Sequence, residues 1–448
     1  MSSPKVGFIG LGCPKNQVDL EVMMGRVAEA GFGITSRAED ADILVINTCS
    51  FLGSAIDEAH GQIMRAGRLK REGRVERVVV SGCLPQYLKG RLKETYPFVD
   101  DILTPMNFAS IAEVLTGEPR RKLPRSYFAS PATIYTGREP RVPTTPPSLA
   151  YVKIADGCNH RCAFCIIPAL RGRYRSRPVA DIVREVKAHI ARGVLEVSLV
   201  SQDTTRFGED TGDNLLDLLR RLARIRGDFW VRLMYLFPGK VTADLVDFIG
   251  AHRERILPYF DIPVQHIAAP VLARMRRGKP GQVFRTVETI RSRIPDAVLR
   301  TNFIVGYPGE TDAAFAELVE FIKRGDFDRV GVFPYSNLPE MPSSRLPEHI
   351  PEPVKAARKS ALMKAAMGVC ATQQAALVGQ TLTVVIEAVA PSGNMLQYTG
   401  RSWREAYEID GSVNVSSPKK LVLYRAYPVE IVGFGPYDLV GKPKGEIR

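Results

Sequence analysis

The chain has 448 residues, 45% of them hydrophobic and 24% charged, and a formal net charge of +13. At about 100 to 200 residues per domain this length implies two to four domains, with the composition of a globular protein and not of a collagen, coiled coil or low-complexity chain. The positive balance attracts anions without choosing among nucleic acid, nucleotide and ribosome.

The opening run MSSPKVGFIGLG holds one lysine and no apolar h-region, so no signal peptide is expected. No stretch reaches the roughly 18 consecutive apolar residues of a membrane span. The expectation is a cytoplasmic protein without membrane contact. There thiols stay reduced, and seven scattered cysteines serve metal or redox chemistry more readily than a disulfide scaffold.

In chain order, short β-branched runs at Val6 to Leu11, Ile43 to Ile46 and Val78 to Val80 each precede an amphipathic stretch. This pattern predicts a parallel α/β domain of the flavodoxin-like kind over residues 1–116. Residues 117–148 carry no period and read as a basic linker. Arg120, Arg121, Lys122, Arg125, Arg138 and Arg141 against Glu118 and Glu139 leave +4, which reads first as a solvated face.

Residues 149–345 repeat the pattern on a longer scale. Strands are expected at Ala150 to Ile154, Val197 to Val200, Trp230 to Leu236, Phe260 to Val264, Leu299 to Val305 and Arg329 to Pro334. Six strand–helix units, not eight, predict a partial (β/α)6 barrel. A connecting helix opens near Pro351 and Pro353 and runs to about Val378, within residues 346–378. Residues 379–448 read as a small antiparallel β-barrel, with strands at Thr383 to Ile386, Asn394 to Tyr398, Gly411 to Val415 and Tyr427 to Phe434.

The cysteines divide by position. Cys158, Cys162 and Cys165 form C-x3-C-x2-C in GCNHRCAFC, directly after the first barrel strand. Three thiolates on one loop suit a soft metal or a cluster and leave one position open. The loop lies on the face where barrel active sites are built. Zinc is the plainer alternative, although His160 stands too close in sequence to complete a relaxed tetrahedron. Cys13, Cys49 and Cys83 share no local motif, yet each falls where a predicted strand ends, in GLGCPKN, INTCS and SGCLP. Carboxyl ends of parallel strands line one crevice, so a second metal site is expected there; three buried thiols acting as small hydrophobes is the rival reading. Cys370, in an alanine-rich helix, reads as an isolated thiol.

At these residues the chain resembles the radical S-adenosylmethionine methylthiotransferases, nearly over its whole length, including a C-terminal barrel of the TRAM type. GCPKNQVDLE (Gly12 to Glu21), GCNHRCAFCIIPALRGRYRSR (Gly157 to Arg177), SQDTTRFGED (Ser201 to Asp210), DIPVQH (Asp261 to His266) and FIVGYPGET (Phe303 to Thr311) are similar to the branch that modifies an aspartate of the twelfth protein of the small ribosomal subunit. The resemblance implies a 4Fe-4S cluster on Cys158, Cys162 and Cys165 that binds S-adenosylmethionine through its open iron. Its 5′-deoxyadenosyl radical takes hydrogen from the aspartate β-carbon. An auxiliary 4Fe-4S cluster on Cys13, Cys49 and Cys83 then supplies or carries sulfur, and a second S-adenosylmethionine gives the methyl group. It also implies an electron donor, a sulfur source and a ribosomal protein met free or on the ribosome. Phe164 would lie against the adenine.

Weaker constellations keep two readings each. Arg171, Arg173, Arg175 and Arg177 alternate, which puts them on one side of an extended segment; Arg175 is a candidate for the cofactor carboxylate, and a solvated basic strand is the alternative. Gln202 and Asp203 follow the second barrel strand, where cofactor contact or, for Asp203, a helix cap is expected. The turn Gly306 to Glu310 admits close backbone approach to a ligand or is simply tight. From Gly379 on, eight basic and seven acidic residues leave +1, which fits a protein target better than RNA. Trp403 and Tyr407 depart from the family's small residues and read as core or as docking residues. PYSNLPEMPSSRLPEH departs as well. A tRNA methylthiotransferase and a non-catalytic, zinc-stabilised RNA-binding protein are the rival functions.

Overall fold

The computed structural model describes residues 3–117, 134–392 and 395–444. Arg120, Arg121, Lys122, Arg125 and Glu118 of the expected linker lie outside the described residues.

The N-terminal sheet holds β1 (Lys5–Gly10), β2 (Gly33–Thr35), β3 (Ile43–Thr48), β4 (Arg77–Gly82) and β5 (Asp101–Ile102). Their order is β2-β1-β3-β4-β5 and every pairing is parallel, the flavodoxin-like order, whose crevice opens between β1 and β3. Both faces are covered, as a parallel sheet requires. Leu44 and Ile46 pack under α2 (Gly53–Arg71), whereas Ile43 and Val45 pack with Leu20, Met23 and Val27 of α1 (Pro14–Glu29). Strands β2 and β5 are too short for a two-residue period to announce them.

Six parallel strands then form an open half-barrel in the order β6 (Leu149–Lys153), β9 (Glu196–Val200), β10 (Trp230–Leu233), β11 (Ile256–Asp261), β12 (Val298–Val305) and β13 (Arg329–Pro334). Between β6 and β9 lies a two-stranded ribbon, β7 (Ala155–Asp156) with β8 (Arg175–Ser176). Strand β11 begins four residues earlier than expected. Pro258, which cannot donate to a ladder, falls where the β10–β11 register is irregular, so the strand tolerates it.

After the helix Glu352–Ala375 a closed barrel runs β14 (Thr381–Ser392), β15 (Met395–Arg401), β16 (Val413–Ser417), β18 (Leu439–Pro443) and β17 (Ala426–Phe434). It is not wholly antiparallel, because β16 and β18 pair in parallel. Strand β18 has no counterpart among the expected strands.

The loop after β15 enters the half-barrel on the face away from its helices. Trp403, Ala406, Tyr407 and Ile409 pack there with Tyr151, Leu257, Tyr259 and Val298. Trp403 and Tyr407 are thus partly buried packing residues of a domain junction. Around them the buried charges pair: Glu196 with Arg232 and Arg401, Asp328 with Arg404. The departing segment after β13 also has a contact role, since Leu338 and Met341 pack on Cys83, Ile166 and Leu170.

Described residues of the expected linker are not all solvated. Arg141 is buried between Glu21 of α1 and Glu185, and the Val142 N–H donates to the Glu21 carbonyl at 3.1 Å. Gly25 makes this crossing possible, for a Cβ there would stand 2.1 Å from the Pro140 oxygen. Arg138 does stay exposed, with 73% of its side-chain surface accessible.

Candidate metal centres

Two sets of three thiols are positioned by different means. The loop triad follows β6 and β7. Gly157 has φ +82°, and a Cβ on it would meet the Arg173 carbonyl oxygen at 2.2 Å, so only glycine lets the chain turn into the loop. The Cys158 N–H donates to the Gly172 carbonyl (3.1 Å) and the Cys165 N–H to the Cys162 carbonyl (3.1 Å). Ala163 is braced from two sides, by the Met275 carbonyl and the Ser343 N–H. Arg277 donates to Cys162 Sγ at 3.7 Å and to the Pro263 carbonyl at 2.6 Å. Burial raises the Cys158 thiol and pushes that of Cys165 up to about 12; in both the neighbouring thiols add to the rise.

The edge triad follows from sheet topology. Cys13 caps α1 just past β1, Cys49 follows β3, and Cys83 opens α3 (Cys83–Leu88) after β4. Because β1, β3 and β4 are neighbours in register, Gly10 beside Asn47 and Thr48 beside Gly82, the three cysteines share one edge. Gly12 and Gly82 have φ of +102° and +93°; added Cβ atoms would stand 2.8 Å from the Cys49 Cβ and 2.4 Å from the Thr48 oxygen. Asn16 ties the loops together, donating to the Leu11 and Thr48 carbonyls, while Asn47 donates to the Asn16 carbonyl. Burial pushes the Cys83 thiol up to about 12, and burial with the neighbouring Cys13 raises Cys49. Burial also opposes ionisation of Cys13, but Lys15, Arg171 and the Asn16 and Lys15 N–H groups outweigh it and hold this thiol below its ordinary value.

The two triads meet across the helix Ile167–Arg171, which at 1.5 Å per residue is only about 7.5 Å long. Cys165 lies just before it. At its other end Arg171 points Nη2 at Cys83 Sγ, 3.9 Å away, and bonds Asn16, Asp19 and Asp156. Lys153 pairs with the same two carboxylates. Both carboxylates are thereby neutralised, as burial requires. Asp19 lies on α1 and Asp156 directly before Gly157, so this cluster locks one domain to the other.

The arginine alternation does not make one face. Arg171 ends a helix and is buried. Arg177 is buried in a second network, donating to the Lys153 and Thr136 carbonyls and pairing with Glu185. Arg173 is exposed, and Arg175 is half-buried with Nη2 donating to the Arg171 carbonyl at 3.3 Å. The chain extends only over Arg175–Ser176, too short for a common side.

Asp203 does cap a helical turn, accepting from the Thr205 N–H, and its other oxygen lies 2.6 Å from His160 Nε2. His160 stacks on Phe237 and is engaged there. Gln202 donates to Asp156 at 3.1 Å, while its buried oxygen has no partner among the described residues. Phe164 packs with Val271, Met275 and Tyr307 beside Cys162. In the Gly306–Glu310 turn the Glu310 carboxylate accepts from the Gly306 and Tyr307 N–H groups, so the turn is closed from within. Cys370 is buried, 3.2 Å from Arg329 Nη1. Two residues at the strand ends escaped the sequence reading: His266, buried with Nε2 unpartnered and pushed down to about 3 by burial and Arg358, and Lys15 in the GCPKN run. For Lys15 the signal was its place two residues after Cys13.

Among the described residues no three His, Cys, Asp or Glu side chains gather closely enough for a single metal ion. Thiolates on the corners of an iron–sulfur cluster bind separate irons and stand further apart than the ligands of one ion, and all-thiol sets are what such clusters take. Both triads fit that group by the chemistry of their donors.

Residues 152–322 match the Radical SAM superfamily, residues 5–104 the uncharacterized protein family UPF0004, and residues 378–443 the TRAM domain. The chain is 41% identical over 441 residues to the ribosomal protein uS12 methylthiotransferase RimO of Syntrophotalea carbinolica, covering 98% of this chain and 96% of that one. It is 41% identical over 456 residues to the protein of that name from Sorangium cellulosum, covering 99% and 91%, and 39% identical over 445 residues to that from Dictyoglomus thermophilum, covering 98% and 99%. Among solved structures it shares its fold with TsrM of Kitasatospora setae, a radical S-adenosylmethionine methyltransferase with cobalamin and a 4Fe-4S cluster bound, at a TM-score of 0.56 and 16% identity over 76% of this chain and 77% of that one. The chain belongs to the RimO family of radical S-adenosylmethionine methylthiotransferases.

Proposed function

We propose that this protein methylthiolates uS12, the ribosomal protein named by its relatives, at the β-carbon of an aspartate. The observation that carries the reading is the convergence of two all-thiol triads on one five-residue helix, because hydrogen abstraction and sulfur insertion must act on the same carbon. The family's cofactors are S-adenosylmethionine and two 4Fe-4S clusters. When bound, the cluster of Cys158, Cys162 and Cys165 with S-adenosylmethionine supplies the oxidant for hydrogen abstraction, and that of Cys13, Cys49 and Cys83 the sulfur.

The chain's own residues set the stage. Arg277 donates to a loop-triad sulfur and Arg171 to an edge-triad sulfur, so each triad has a guanidinium beside one of its thiols. Phe164 presents an apolar wall to the cofactor, Gln202 leaves a buried acceptor facing the strand ends, and Arg175 supplies a cation close by. Leu338 and Met341 cover Cys83 and help exclude water. An electron donor and a sulfur source complete the reaction from outside the chain. No helix among the described residues is long and apolar enough to cross a membrane, and the proposed ribosomal substrate supports a cytoplasmic enzyme.

Purified, cluster-reconstituted protein is offered uS12 and tRNA in parallel, and products are read by mass spectrometry. The expected result is one methylthio group on uS12 and none on tRNA. Modification of tRNA alone would refute the proposal. In cells lacking the protein, uS12 is expected to lose that group.

A further inference from the structure

Lys15 is buried to 7% exposure, at the second position of α1 and two residues after Cys13. Its ammonium stands 3.3 Å above the centre of the Tyr235 ring, at the carboxyl end of β10. Among the described residues it makes no hydrogen bond and no ion pair. The cations around it are otherwise engaged. Arg171 and Lys153 hold Asp19 and Asp156, and Arg300 holds Asp261. A buried charge is ordinarily paired; the Cys13 thiol is the negative group beside Lys15, and with that sulfur committed to the edge triad the ammonium is left for an anion that arrives from outside.

The seat beneath it is built at a conformational cost. Tyr235 has φ +63°, strained for a residue with a bulky side chain, and its N–H is held by Asp261 Oδ2 at 2.9 Å. Asp261 is fully buried and its other oxygen is taken by Arg300 at 2.8 Å. The carboxylates near Lys15, Asp261 and Asp156, are therefore committed elsewhere, and the ring face favours the ammonium as a cation.

We infer that Lys15 receives the side-chain carboxylate of the target residue and so selects an acidic target. This rests on the reading of uS12 as substrate. Chemistry supports the assignment. In an aspartate the carboxyl carbon is bonded directly to the β-carbon, so a carboxylate held at Lys15 sets the reacting carbon beside Cys13 of the edge triad and the carboxyl end of β10 in the half-barrel. The same carboxylate would otherwise enter a desolvated site unpaired.

The test uses cluster-loaded protein with full-length uS12 and a variant carrying Asn at the modified aspartate. Wild type should bind the Asp form at least about thirtyfold more tightly than the Asn form, the size expected for truncating a buried charge pair. Lys15→Met should bind both forms alike and lose methylthio product, with iron and labile sulfide unchanged, and Lys15→Arg should keep the Asp preference. If Lys15→Met retained the wild-type preference, or wild type showed none, the inference would be overturned. Where Lys15→Met failed to assemble its clusters, the wild-type preference and Lys15→Arg still decide. Failure of the parent reading is distinct: wild type would then leave uS12 unmodified at every position, and the inference would fall with it.

Discussion

The two thiol triads reach similar ends by opposite routes. Cys158, Cys162 and Cys165 are held within eight residues by one loop, so their placement is local and depends on few neighbours. Cys13, Cys49 and Cys83 span 71 residues and are brought together only when β1, β3 and β4 pair in register. A loop triad therefore survives distortions that would scatter an edge triad. The electrostatics differ too. Cys13 is held below its ordinary value by Lys15 and Arg171 despite its burial, whereas Cys83 and Cys165 are pushed up to about 12. The difference teaches where sulfur chemistry depends on the fold and where it depends only on spacing.

The sharpest way to separate the triads is Cys162→Ala. Formation of 5′-deoxyadenosine should fall to background, at least about a thousandfold, since a residue that acts as part of a unit abolishes the unit's function. Next, Cys49→Ala should leave that cleavage within about threefold, less than about 0.7 kcal/mol of barrier, while no methylthio product forms. Intact product formation in Cys49→Ala, measured by mass spectrometry, would end the auxiliary-site reading.

Gly82→Ala probes the topological route with a smaller perturbation. The left-handed φ and the 2.4 Å approach to the Thr48 oxygen should destabilise the edge by about 2 to 3 kcal/mol. Iron at the edge triad should fall while the loop triad stays loaded; equal loss at both would mean that the two are not independent. The smallest effect is one of pH. In cluster-free protein the Cys83 and Cys165 thiols titrate near 12 when folded and near 8.5 when unfolded. Between those values the folded state binds more protons, so stability falls as pH rises through that window and is fully present below it. Melting temperatures of the cluster-free chain should decline from about pH 8.5 upward, and a flat profile would contradict the burial of these thiols.

The same contrast explains what the sequence reveals. The loop triad is legible because C-x3-C-x2-C is a local pattern, and the edge triad because strand ends can be read from β-branched runs and parallel topology aligns them. The expected six-stranded half-barrel is present, and the strand Arg329–Pro334 was expected at those residues. Features that depend on long-range packing were not legible. The alternation of Arg171 to Arg177 suggests one face, yet Arg171 turns to Asp19, 152 positions away, and Arg177 to Glu185. Arg141 looks like part of a solvated run until α1 supplies Glu21. The roles of Trp403 and Tyr407 are decided by a half-barrel whose strands begin some 250 residues earlier. Lys15 carries no local mark of its isolation, because an absent partner is a property of the folded neighbourhood.

Iron and acid-labile sulfide per chain, measured after anaerobic reconstitution of wild type, Cys49→Ala and Cys162→Ala, test the account at its centre. Two independent 4Fe-4S clusters predict about eight of each in wild type and about four in either variant. About four in wild type, loss of both clusters from either single change, or zinc without labile sulfide would contradict it.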